Sequence, residues 1–389
     1  MSYTETTSLN WFQRIRNALI GTLFGILLVI GCIWLLIWNE GRAIGTYRAL
    51  AEGAAVVISV KSDGVVSGND GKLVHVSGPV VAEGMPADTE YGIGAKGAVG
   101  LVRDVEMYQW VEDGHGETKK KLGGGEETVT TYSYKKEWRT DIVDSSDFKQ
   151  PDGHANPDSM PKGRTFRVRD GRVGAFQVDG ETLSAIGDRS DLALTGDDIE
   201  KIAAQSGIGL PAKTSGKGVY FGSNASSPEV GDIRIGYQRI DLSEASIIGK
   251  QGGDRLTAFP TSNGRDVFLS ESGDVDAAAM FKTAQSDNAL LTWLVRAGGL
   301  VGMFIGFVLL FGVFSVLGDI VPFIGSIIGF GTGVLAFFLT LLLGPLAIAI
   351  GWIAYRPLVA VGIIAGGVVL AFLVLRLRRG KAPAAAVPA

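Results

Sequence analysis

Four stretches of this 389-residue chain carry no charged side chain: 17–38, 297–317, 320–355 and 358–375. A helix rises about 1.5 Å per residue, so about 20 apolar residues cross a hydrocarbon core about 30 Å thick. Lipid offers the backbone no hydrogen-bond partner, so such runs must satisfy themselves as helices. The first run ends in "WLLIWNEGRA", Trp34 to Ala43. Trp favours the bilayer interface and charge is tolerated once water is near, so the abrupt step to Asn39, Glu40 and Arg42 reads as a membrane exit. The third run is too long for one plain crossing. As a helix, residues 320–354 would rise about 52 Å. A kink at Pro345, a re-entrant hairpin, or a shallow start through Pro322–Gly333 would each absorb the excess, and the last is the preferred reading.

Charge divides the chain in the same way. Residues 39–295 hold 28 Lys or Arg and 38 Asp or Glu, and the remainder holds 8 and 2. An acidic soluble part argues against nucleic acid, whose phosphates need a basic face. The run Lys119–Lys121, beside Gly123–Gly125, reads as a solvated loop. The single cysteine, Cys32, lies within the first run and excludes an internal disulfide or a cysteine metal site. That run exceeds the usual signal-peptide core and lacks a small-residue cleavage pattern, so it reads as an uncleaved anchor. Arg14 and Arg16 precede it, and Arg376, Arg378, Arg379 and Lys381 follow the last run. The positive-inside tendency places both termini in the cytoplasm, with Arg356 the one basic residue on the wrong side.

The expected architecture is a multi-pass α-helical membrane protein of four spans with a β-dominated α+β extracytoplasmic domain. Its parts are a cytoplasmic tail (1–16), a first span (17–38), the extracytoplasmic domain (39–295), a membrane bundle (296–375, with spans about 297–317, 330–354 and 358–375) and a cytoplasmic tail (376–389). Within the domain, "VEMYQWVE" alternates and "TVTTYSYKKEW" is rich in β-branched and aromatic residues. With the Gly-rich link between them they read as a hairpin whose tip is near Gly124. "FRVRDGRVGAFQV" suggests two strands turning at Asp170-Gly171. "GDIRIGYQRID" puts Ile233, Ile235 and Tyr237 on one face. "TGDDIEKIAAQSG" carries helix start and stop signals. Residues 272–293 form a fair helix that leads towards the second span.

Catalytic patterns are missing. The three histidines, His75, His115 and His154, lack metal-ligand spacing and read as surface or loop residues. "GIGAKG" at 92–97 matches a dinucleotide fingerprint by letter, but the helix that should follow it is replaced by a β-like run. No cofactor, metal or catalytic residue is expected. Glycines recur at four-residue spacing at 21 and 25, at 298, 302 and 306, at 325, 329 and 333, and at 362 and 366. Such spacing lets helices approach closely, either within the chain or in a homo-oligomer. No charge lies mid-span, which argues against an ion-coupled transporter. Asp319, between the second and third runs, is expected to be neutralised by Arg14, Arg16, Arg376 or Arg378.

"LLIWNEGRAI", "VEMYQWVE", "YSYKKEWRTDIVDSSDF", "GHANP", "PEVGDIRIGY", "GDRLTAF", "RAGGLVGMFIGF", "DIVPFIG" and "YRPL" resemble, in order, segments of the LUMA family (the transmembrane protein forty-three family). The resemblance implies four spans, cytoplasmic termini and a large lumenal domain. Eukaryotic members reside in the endoplasmic reticulum and inner nuclear membrane, where they are thought to organise membrane-protein complexes. The Gly- and Ala-rich composition, with a tail lacking a lysine cluster, reads as prokaryotic, which would place this chain in the inner (cell) membrane.

The expected function is therefore non-enzymatic: membrane organisation and scaffolding, or envelope homeostasis and stress sensing. The alternative is a lipid- or envelope-acting enzyme with an unrecognised site in the domain. The expected partners are the lipid bilayer, unidentified membrane proteins and a second copy through Gly-x-x-x-Gly faces. The structural residues singled out are Glu40, Arg42, Arg296, Arg356 and Asp319. Glu40 is expected to pair with Arg296 or Arg356 through the two parallel bonds a guanidinium can make.

Overall fold

The first three apolar runs are helices, and the first two helices are longer than their uncharged stretches. A computed structural model describes residues 2–216 and 218–355. Helix α1 (Trp11–Val56) continues well past Trp38, because proline is absent and the Ala-rich sequence after Arg42 favours helix. Two short helices follow, α2 (Gly180–Ile186) and α3 (Gly196–Gln205). Helix α4 (Ala277–Gly318) is preceded by Asp276, whose carboxylate accepts from the Ala279 N–H at 2.9 Å. It runs without a break through the second apolar stretch. Helix α5 (Pro322–Tyr355) starts on a proline, whose missing N–H costs nothing in a first turn. Among the described residues, α1, α4 and α5 are the three helices long and apolar enough to cross a membrane. The expected fourth span (358–375), Arg356 and the basic tail lie outside the described residues.

Pro322–Gly333, for which a shallow start is expected, belong to one helix with the rest of α5, and Pro345 sits inside it without ending it.

Two compact units divide the chain: residues 2–7, Ala49–Lys119 and Glu127–Gln285 in one, and Ser8–Arg48, Lys120–Glu126 and residues 286–355 in the other. The contacts thus divide the chain near 48 and 285. The short segment Lys120–Glu126 belongs with the helices.

The β unit holds two large sheets. One runs in the order Ser2–Leu9, Glu126–Arg139, Gly100–Lys120, Ile233–Asp241, Gly218–Phe221, Ala212–Ser215. The expected hairpin is therefore present as neighbouring strands, Gly100–Lys120 and Glu126–Arg139. In the other sheet, Glu244–Gly252, Arg255–Thr257, Phe176–Asp179, Asp170–Val173 and Leu73–Glu83 follow one another, and the last pairs back on the first. Five strands therefore close into a ring around Val74, Val76, Val173, Phe176, Val178 and Ile247. The turn expected at Asp170-Gly171 is displaced. Both residues lie in a strand, and the two-residue turn is Gly174-Ala175, with Val173 opposite Phe176 and Gly174 at φ +57°. A two-residue hairpin needs positive φ, which Gly174 supplies. Ile233, Ile235 and Tyr237 are buried together on the first sheet, packed with Ile202 of α3. Helix α3 opens with a reciprocal Thr195–Asp198 capping box.

In the helical unit, α1 and α4 meet through small residues. A Cβ on Gly25 would lie 2.5 Å from the Gly306 carbonyl oxygen, and one on Gly302 would lie 2.7 Å from the Cys32 sulfur. The packing residues on α4 are Gly299, Gly302 and Gly306. Gly298 and Gly333 have no neighbour within 4 Å. The expected spacing is thus only partly the packing face.

Candidate functional site: two charged clusters of the helical unit

Glu40 lies at the α1 position where the apolar run ends, and only 2% of it is exposed. A buried carboxylate needs partners, since desolvating a lone charge costs several kcal/mol. It has two, which together donate three hydrogen bonds. Arg296 of α4 donates from Nε to Oε1 at 2.7 Å and from Nη2 to Oε2 at 2.8 Å, and Trp352 of α5 donates its indole N–H to Oε2 at 2.8 Å. The Arg296 guanidinium also lies 4.7 Å from the Trp293 ring centroid. Gly351 makes room for the pair, because a Cβ there would come within 2.9 Å of the Glu40 side chain. A ladder extends from this pair along α1 and α4. Arg42 donates to Asn39 Oδ1, Asn288 Oδ1 and Thr292 Oγ1, and Asn39 donates to the Thr292 carbonyl oxygen. Glu40 thus meets Arg296, one of the two arginines considered for it; the other, Arg356, lies outside the described residues.

The second cluster forms where α4 turns into α5. Asp319, fully buried, accepts from Arg14 Nη2 at 2.6 Å and from Lys120 Nζ at 2.8 Å. Arg14 also meets Glu126 at 2.9 Å and donates to the Gly124 carbonyl oxygen at 2.6 Å. The Gly123 N–H donates to the Ile320 carbonyl oxygen, and the Trp11 indole donates to that of Val316. Gly325 leaves the space that Asp319 fills. Two cations and two carboxylates balance. Of the four basic residues considered for Asp319, Arg14 makes the contact.

The two clusters bracket the apolar helices. From Arg14 to Glu40 along α1 is about 39 Å, and from Arg296 to Asp319 along α4 about 34 Å, against about 30 Å of hydrocarbon.

One expectation is corrected here. The Lys119–Lys121 run is not wholly a solvated loop, since Lys120 is held by Asp319. Lys120–Glu126 packs at the same end of the helices as Arg14, and Ser2–Leu9 pairs with Glu126–Arg139. Counting basic residues near chain ends could not register that Glu126 and Asp319 neutralise Arg14. Trp352, Lys120 and Glu126 escaped notice for a related reason: their partners lie hundreds of residues away or across an unremarkable Gly-rich link.

The β unit has a buried charge of its own. Arg103 donates to Asp88 at 2.8 Å and to Glu90 at 2.8 Å, beneath the Tyr91 ring at 4.3 Å. The Tyr237 hydroxyl donates to Asp88 at 2.7 Å, and burial followed by that carboxylate pushes its pKa well up. Tyr220, fully buried, donates to Asp232. Burial and then this bond push its pKa up to about 12. His75 departs from the surface-or-loop reading, whereas His154 does lie in a loop, although a buried one. His75 is buried on a strand, its ring nitrogens 3.2 Å from Ser59 Oγ and 2.9 Å from the Val275 carbonyl oxygen. His154 is buried against Tyr134, ring centroids 3.9 Å apart. Among the described residues, no group of three or more His, Cys, Asp or Glu is placed to hold a metal ion.

Comparison with known proteins agrees with this architecture. Residues 107–357 match the family model described as Transmembrane protein 43. The chain is similar to Transmembrane protein 43 of Mus musculus, 31% identical over 90% of this chain and 88% of that one. It is similar to Transmembrane protein 43 of Homo sapiens at 31%, over 95% and 92%. To the Transmembrane protein 43 homolog of Drosophila melanogaster it is 30% identical, over 89% and 91%. No solved structure matches the chain.

Proposed function

The chain belongs to the transmembrane protein 43 family, and from that premise we propose that it acts without catalysis, as a scaffold that organises the membrane or as a sensor of envelope stress. The observation that carries this reading is the pair of charged clusters. Each spends its charges on bracing helices against one another at a fixed separation, close to one bilayer thickness. A transporter would need a charged group exposed to a pathway within the spans. Here Glu40 and Asp319 are each closed off by two or more donors. On this reading the protein resides in the cell membrane of a prokaryotic host. The end bearing Arg14 and Arg16 faces the cytoplasm, following the basic surplus there. Self-association through open glycines such as Gly298 and Gly333 belongs to the same proposal.

Proximity labelling in the native host, paired with lipid analysis of a deletion strain, tests the reading. The expected result is a reproducible set of membrane neighbours and an altered lipid composition. Turnover of a lipid or envelope substrate by the purified chain, abolished by a substitution in the β unit, would overturn it.

A further inference from the structure

The β unit contains an open cavity of about 390 Å³, a size that suits a small molecule. Its floor is the first sheet, at the buried residues Met107 and Ile233, which lie opposite one another on neighbouring strands. Its walls come from two loop segments, residues 157–161 and 206–210, which contribute Met160 and, at the exposed rim, Leu210. Methionine adapts its shape to what it meets, so this apolar lining accepts bodies of varied outline.

Two polar groups interrupt that lining, Tyr91 and Glu90. Tyr91 is 1% exposed, and its hydroxyl makes no hydrogen bond with the described residues. Among them, Gln251 Oε1 is the one enclosed side-chain polar atom without a partner. The Tyr91 oxygen is therefore not enclosed, and it opens onto the cavity that the residue lines. The Arg103 guanidinium, 4.3 Å from the ring centroid, holds the ring in place. Burial outweighs that positive charge and pushes the hydroxyl pKa up, so the group keeps its proton at neutral pH. Glu90 Oε2 accepts from Arg103 at 2.8 Å, whereas Oε1 accepts no hydrogen bond from the described residues. The charges acting on Tyr91 are those of Arg103, Glu90 and Asp88, one positive and two negative. Asp88 is fully buried and already taken by Arg103, Tyr237 and the Glu90 N–H, so the surplus negative charge is presented at Glu90.

We propose that this cavity binds a small apolar amine, its hydrocarbon or aromatic body against Met107, Ile233, Met160 and Leu210, and its ammonium donating to the Glu90 carboxylate and the Tyr91 hydroxyl oxygen. Glu90 repels a carboxylate on the same body, and a neutral alcohol can bond to the two acceptors without matching the charge. The Glu90 side chain is about half exposed, so water screens it and the preference is modest, up to ~fivefold in affinity for an exposed ion pair. The site goes beyond the scaffold or sensor reading and does not depend on it.

The test uses the full chain in nanodiscs and a phenethylamine carrying a photoreactive diazirine on its ring. Phenethyl alcohol and phenylacetate with the same group are the neutral and anionic comparisons. After irradiation, mass spectrometry maps the labelled peptides, which separates this cavity from probe dissolved in lipid. Expected is saturable labelling of residues 157–161 and 206–210. The amine should bind about three- to fivefold more tightly than the alcohol, and the anion most weakly. Glu90→Gln should remove the difference between amine and alcohol. Tyr91→Phe breaks no hydrogen bond within the described protein, so it should leave the melting temperature unchanged and weaken both probes about threefold. Leu210→Trp, at the exposed rim, should block labelling by filling the cavity. Labelling that does not saturate, or that misses both segments, would overturn the site. Equal binding of amine and alcohol, or tighter binding of the anion, would overturn the charge recognition.

Discussion

Glu40 shows how a single charge can brace three helices. Its two oxygens take three donors from α4 and α5, so removing the charge weakens more than one bond. Glu40→Gln should destabilise the detergent-solubilised protein by about 1–3 kcal/mol, the range for hydrogen bonds to charged groups. Combined with Arg296→Gln, the losses should be less than additive in a double-mutant cycle. Full additivity would mean that the pair does not couple in solution. Tyr220 supplies a pH dependence. Its folded pKa, about 12, lies above the ordinary value of 10, so the folded state holds the proton more tightly. The stability this provides is complete below about pH 10 and is lost as pH rises towards 12. Thermal unfolding followed from pH 9 to 12 should show that decline, and Tyr220→Phe should reduce it, leaving the part due to Tyr134 and Tyr237, whose pKa values are also raised.

At the scale of the element, the α4–α5 turn depends on a missing side chain. Gly325 backs directly onto Asp319, whereas Gly331 on the same helix has nothing within 4 Å. Gly325→Ala should cost about 1–3 kcal/mol through overpacking. Gly331→Ala should be neutral or slightly stabilising, by up to about 1 kcal/mol from helix propensity. A matched pair of melting curves decides this, and equal effects would contradict the described turn. Elements that rest on local chemistry could be read from the sequence. Thr195 with Asp198 marks the start of α3, and Ile233, Ile235 and Tyr237 mark the buried face of a strand. Asp170-Gly171 misled because a good turn dipeptide was overruled by pairing of both residues into a sheet, and the neighbouring Gly174 took the turn. In α5 the Gly-rich start is helical; glycine weakens a helix in water, while lipid leaves the backbone no alternative partner.

For the whole molecule, membrane helices and a β-rich unit were legible from hydropathy and alternation, and the family from ordered segments across the chain. The clusters were legible only in part. Glu40 and Asp319 were visible as charges at the edges of apolar runs, and a short choice of arginines followed. Lys120, Glu126 and Trp352 were not, because nothing near them in sequence marks a partner some 110 to 310 positions away. The cluster at Asp319 makes a prediction about sidedness. Reporter fusions at residue 5 and beside Gly124 should report the same compartment. Opposite compartments would mean that lipid, which tolerates no open sheet edge, keeps the tip from Arg14.

The uncharged stretches between the clusters, residues 17–38 on α1 and 297–317 on α4, are about 33 Å and 31 Å long as helices. With ion pairs at both ends, these helices cannot shorten by letting a flexible side chain snorkel: Glu40 and Asp319 are short, and their partners sit on other elements. Thinning the bilayer leaves apolar surface in water, and thickening it draws a closed ion cluster towards hydrocarbon. Mismatch costs fractions of a kcal/mol per ångström and sorts proteins among membranes. The protein should therefore be most stable in acyl chains that give close to 30 Å of hydrocarbon, and melting in nanodiscs of graded chain length should pass through a maximum there. A charged bracket built to hold helices together makes the molecule, in effect, a calliper for the membrane it occupies.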